Sequence, residues 1–112
     1  MKELRSVWEH QRDRVHDRID VLDRGIVALA RGRLDAGLRR DSERAAHTLA
    51  GSIGIFGFIE ASEAARDLEL ELAHPTTDRA PALSALLLRV RSGIEGPVVL
   101  CPVVAAGQRA DS

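Results

Sequence analysis

The chain has 112 residues, enough for one domain with a modest core and little room for an enclosed catalytic cavity. Apolar residues make up 45% and aromatics only 3%, so the core must be built from Leu, Ile, Val and Ala, which favours packed helices over a sheet sandwich. At a net charge of −1 there is no basic field to hold nucleic acid, and no apolar run approaches the ~20 residues that a membrane span needs.

The lone Cys101 excludes an internal disulfide and any multi-cysteine metal site, and a free thiol fits a reducing compartment. Met1 to His10 is charged and lacks an apolar signal region, so the expected location is the cytoplasm.

The first predicted element is a long amphipathic helix from about Leu4 to Ala30. Leu4, Trp8, Val15, Ile19, Leu22, Ile26 and Leu29 recur at steps of three, four and seven and form one stripe, and Gly32 ends it. A second helix is expected from Asp35, a natural N-cap, to about Phe56. A third lies between Gly57 and Pro75, with Glu60 and Glu63 in its first turn and Ala61, Ala65, Leu68 and Leu72 as its apolar stripe. A fourth opens at Thr77 or Asp78 with Pro81 in its first turn. Leu83, Leu86, Leu87, Val90 and Ile94 line its inner face, and Gly96–Pro97 ends it.

Four amphipathic helices with short joints predict an all-α fold: an antiparallel four-helix bundle of up-down topology over residues 1–96. Residues 97–112 are expected to form a short irregular C-terminal tail, apolar from Val98 to Val104 and polar after Gln108, to which no role is assigned.

The informative residue is His47. Advancing each residue of the second helix by roughly 100° places Leu38, Ala45, Leu49, Ile53 and Phe56 on the side opposite His47, with Arg40, Glu43, Arg44, Gly51 and Gly54 on its own side. A lone histidine is more often a hydrogen-bonded core residue, but this one is predicted to face solvent. Gly51 and Gly54 follow it on the same face, and each costs the helix ~1 kcal/mol relative to alanine. The explanations open are that bare backbone lets a partner approach the imidazole, that the glycines pack against a neighbouring helix, or that the helix simply ends early. Arg40 and Arg44, on the preceding turns, can hold the oxygens of a phosphoryl group or can simply be a solvated face.

Residues 47–57, His-Thr-Leu-Ala-Gly-Ser-Ile-Gly-Ile-Phe-Gly, resemble the His-x-x-Lys-Gly signature of histidine phosphotransfer (HPt) domains. His47, Leu49, Gly51 and Gly57 match, and Gly54 matches a common variant. The run Ala61–Ala65–Leu68–Glu69 resembles the family's next helix. The likeness covers about residues 1–95 as a bundle and is specific between Arg44 and Glu69.

The resemblance implies a helical phosphocarrier without its own ATP site, in which His47 accepts a phosphoryl group in a two-component phosphorelay and passes it on. The implied partners are a response-regulator receiver domain and a histidine kinase. The family often sets a Gln or Glu of the next helix against the other ring nitrogen, and Glu69 is the matching position. Arg40, Arg44, Gly51 and Gly54 would then hold the phosphoryl group or receive the partner. Ala50 departs from the family's usual lysine, so Arg44 is the expected substitute on the same face.

No enzyme with its own chemistry is expected, and no cofactor or metal. There is no P-loop, no Gly-rich dinucleotide turn, no Gly-x-Ser-x-Gly elbow and no His-x-x-x-His pair. A monomer is expected. The alternative reading is a helical interaction or dimerisation module without phosphoryl chemistry.

Overall fold

The structure, a computed structural model, describes residues 2–95. Every regular element among them is helical: α1 (Lys2–Ala30), α2 (Ala36–Ile55), α3 (Ile59–Ala73), a 3₁₀ turn (Thr77–Arg79) and α4 (Ala80–Gly93). The expected boundary at residue 96 and the tail at 97–112 lie outside the described residues.

Each helix packs on two neighbours. α1 touches α2 and α4, α3 touches α2 and α4, and the diagonal pairs make no such contact. That closed square, joined by short turns, is the predicted up-down four-helix bundle. The predicted stripe of α1 supplies its share of the core, with Trp8, Val15, Ile19, Leu22, Ile26 and Leu29 all buried. Leu4, on the same predicted stripe, lies outside the residues whose side chains are described.

α1 and α2 end in the same way. The Arg33 N–H donates to the Ala28 carbonyl and the Phe58 N–H to the Ile53 carbonyl, each closing a six-residue loop over the helix end. The turning residues are Gly32 and Gly57, at φ 69° and 88°. A side chain is strained at such angles, so Gly57 of the motif terminates the helix that carries His47.

The chain's three aromatics clamp this turn. The Trp8 ring lies 5.1 Å from Phe56 and 4.9 Å from Phe58, both tilted, so α1 grips the α2–α3 joint from either side of Gly57. With Phe58 committed to that cluster, α3 begins at Ile59. Glu60 therefore lies in the first turn as expected, and Glu63 lies beyond it.

Asp35 caps α2 as predicted, its carboxylate accepting from the Leu38 N–H at 2.7 Å. The last helix differs more. Its first turn, from Thr77, is 3₁₀, and α4 stops at Gly93, short of the Gly96–Pro97 stop read from the sequence. Arg79 in the 3₁₀ turn grips Glu71 of α3 through Nε to Oε1 at 3.2 Å and Nη2 to Oε2 at 2.7 Å. The hydrogen bonds hold the Glu71 carboxyl below its ordinary range and Arg79 above its own.

Small residues set how closely the helices approach. A Cβ at Gly25 of α1 would fall on Ser42 of α2, and one at Gly93 of α4 would fall on Ala61 of α3. Ser42 is fully buried, and its hydroxyl has no hydrogen-bond partner among the described residues. Removing an unpartnered buried hydroxyl recovers its desolvation cost, and alanine is the better helix former. Ser42→Ala is therefore expected to raise stability by about 1 kcal/mol. Urea denaturation checks it; a lower midpoint would show that the hydroxyl is bonded.

Candidate functional site

His47 sits in the middle of α2 on the face away from the core, with 72% of its side chain exposed. Ala45, Leu49, Ile53 and Phe56 are buried behind it, and Leu38 is half-buried. The apolar stripe thus turns the imidazole outward.

The polar seam between α2 and α3 fixes what the ring touches. Arg39 Nη1 donates to the Leu72 carbonyl at 3.0 Å, and Ser62 Oγ donates to the Ala50 carbonyl at 2.6 Å. Between these two rungs, Nδ1 of His47 lies 2.8 Å from Oε2 of Glu69. Pairing 39 with 72, 47 with 69 and 50 with 62 describes one antiparallel register, so the same packing that joins the helices aligns Glu69 with the histidine.

A carboxylate can only accept, so Nδ1 carries the proton and donates it. In the neutral ring Nε2 then keeps its lone pair, and most of the side chain is open to solvent. The arrangement holds an imidazole in one tautomer and offers one nucleophilic nitrogen outward.

Around the ring lies a shallow open hollow of about 430 Å³, lined by Arg39, Arg40, Glu43, Arg44, His47 and Glu69. The three arginines differ. Arg39 is paired with Glu43 at 2.8 Å, as well as bonded to Leu72. Arg40 and Arg44 are exposed and take part in no ion pair among the described residues.

The Hpt domain family model matches the chain over residues 6–94. The chain belongs to the Hpt domain family. Hpt domains are phosphotransfer modules of phosphorelays, in which they meet receiver domains and kinases. No curated protein and no solved structure matches the chain significantly.

Within this Hpt domain the two motif glycines part ways. Gly51 is exposed, and a Cβ there would meet nothing within 4 Å. Gly54 is half-buried, and a Cβ there would lie 3.1 Å from Ser62 Oγ and 3.5 Å from its Cβ. Gly54 therefore belongs to the α2–α3 contact, which favours the packing explanation for this glycine. The helical wheel put it on the His47 side of α2 but said nothing of where α3 lies.

One turn beyond Gly51 on the same line stands Ile55, 73% exposed, which the sequence reading passed over. Its signal was the spacing 47, 51, 55. Ala50, where the family usually has lysine, is buried and offers its carbonyl to Ser62.

The other histidines stay apart from this site. Glu71 and His74 have Glu-x-x-His spacing, but Arg79 occupies that carboxylate. Among the described residues no three His, Cys, Asp or Glu side chains gather as a metal site requires.

Proposed function

We propose that this Hpt domain carries its phosphoryl group on Nε2 of His47, accepting it from the aspartyl phosphate of a receiver domain or from a histidine kinase and donating it onward. The observation that carries this reading is the exposed imidazole whose Nδ1–H is held by Glu69. In the forward step the Nε2 lone pair attacks phosphorus, and the P–O bond to the donor's carboxylate breaks with its electrons leaving on oxygen. The imidazole gains a positive charge as the bond forms, and the Glu69 carboxylate on Nδ1–H stabilises it. Arg40 and Arg44 face the incoming oxygens, and Arg44, one turn from His47, stands in for the lysine replaced by Ala50. The protein acts as a carrier without ATP, metal or other cofactor, as a cytoplasmic monomer that binds no nucleic acid. No helix among the described residues is long and apolar enough to cross a membrane.

The receiver docks on the exposed line of His47, Gly51 and Ile55. The bare backbone at Gly51 supports this, because any side chain there would stand between partner and ring. Gly51→Leu is expected to slow transfer roughly tenfold through misplacement of the donor. It should not unfold the bundle, because an exposed leucine adds ~1 kcal/mol of helix propensity over glycine. Quench-flow transfer beside thermal melts separates the two effects, and an unchanged rate would remove Gly51 from the docking surface.

The decisive experiment on the function is incubation with a phosphorylated receiver domain, followed by intact mass and tandem mass spectrometry. One added phosphoryl group, stable in alkali, labile in acid and located on residue 47, is the expected result. If no donor labels the protein, the module is an interaction domain without phosphoryl chemistry.

A further inference from the structure

Arg39 does two things in the seam. Its Nη1 bonds both Oε1 of Glu43, at 2.8 Å, and the carbonyl of Leu72, at 3.0 Å. Leu72 lies in the last turn of α3, where carbonyls have no partner in their own helix and the dipole favours a cation. That turn has no basic residue of its own. α2 thus lends α3 the C-terminal cation it lacks.

The position of that bond matters because Glu69 is one turn before Leu72 on the same helix, and its carboxylate must meet His47 at hydrogen-bond distance. A shift of α3 along or away from α2 would part the two. The other half of the contact matters for charge. Glu43 is one turn before His47 and lines the same hollow. Paired with Arg39, its carboxylate is held toward α3. Unpaired, it has the imidazole and the Arg44 guanidinium within reach, in the space where phosphoryl oxygens must sit.

We infer that Arg39 is a positioning residue for the His47 reaction, anchoring the end of α3 so that Glu69 meets Nδ1 and keeping the Glu43 carboxylate away from the phosphoryl group. The inference rests on the phosphotransfer reading of His47. Arg39 makes no hydrogen bond to the imidazole and acts through its two neighbours.

The test compares wild type, Arg39→Ala, Arg39→Gln and Arg39→Ala/Glu43→Gln by ¹⁵N NMR of the His47 ring and by quench-flow transfer from a phosphorylated receiver domain. Wild type should show the Nδ1–H tautomer. Arg39→Ala should show a mixture with the Nε2–H form and transfer roughly tenfold more slowly, the size of effect a small misplacement produces. The double variant should regain a few-fold in rate without regaining the tautomer. Arg39→Gln ends two bonds short of Nη1, so it loses both contacts while filling more space than alanine; it should fold and show the same tautomer mixture and slow transfer, and it carries the test if Arg39→Ala unfolds. Wild-type tautomer and rate in Arg39→Ala would overturn the inference. So would a slow Arg39→Ala whose tautomer is unchanged and whose rate Glu43→Gln does not lift, since that marks general loosening. The ring spectrum needs no phosphodonor: a wild-type protein that takes no label defeats the phosphotransfer reading, while the tautomer comparison still decides whether Arg39 aligns Glu69.

Discussion

His47→Gln is expected to abolish phosphoryl acceptance while leaving the bundle as stable as wild type. Glutamine is close to histidine in length, and its amide N–H can still donate to Glu69, so the carboxylate is not left without its partner. The side chain it replaces is 72% exposed and contributes little packing. What glutamine lacks is a basic nitrogen lone pair. Its amide nitrogen is delocalised into the carbonyl and does not attack phosphorus, and no other histidine lines the hollow. Mass spectrometry after incubation with a phosphorylated receiver domain should therefore show no addition, while circular dichroism melts coincide. Labelling of the variant at the wild-type level would move the acceptor away from His47.

The outward position of His47 was legible because it depends only on the period of one helix. Leu38, Ala45, Leu49, Ile53 and Phe56 turn one side of α2 inward, whatever they pack against. The stripes of α1 and α4 and the Asp35 cap were legible for the same reason. Glu69 is a different case. Nothing in the spacing of 47 and 69 joins them, and the pair was found through resemblance to a family; the antiparallel register of α2 on α3 then puts them 2.8 Å apart.

What the sequence hid are contacts whose second member is backbone or a small residue. Arg39 carried no signal in the sequence, because its partner is the carbonyl of Leu72 on another helix. Gly54 looked like its neighbour Gly51, because a wheel drawn for α2 does not contain α3. The end of α4 was misjudged for a similar reason. Gly96–Pro97 is the stronger breaker in one dimension, but Gly93 is where α4 meets α3.

Gly93 gives the largest expected change in stability. A Cβ there would lie 2.7 Å from the Cβ of Ala61 and 3.3 Å from its Cα and backbone nitrogen. Ala61 is fully buried in α3, and its backbone cannot swing aside as the tip of a long side chain can. Alanine at 93, the last residue of α4, gains at most ~1 kcal/mol of helix propensity. Against that, forcing a methyl group into a packed helix contact costs about 1–3 kcal/mol. Gly93→Ala should therefore be neutral to destabilising by about 2 kcal/mol. Gly93→Val adds two more carbons at the same crossing and a poorer helix former, so about 3 kcal/mol or more is expected, on the order of 10 °C in Tm for a domain of this size. Gly51→Ala is the control. Its Cβ meets nothing, so the same substitution in the same kind of helix should raise stability by ~1 kcal/mol. Melting curves of the three variants read the sign directly. If Gly93→Ala stabilises as much as Gly51→Ala, α3 and α4 can part at no cost, and the close approach at Ala61 does not hold the bundle together.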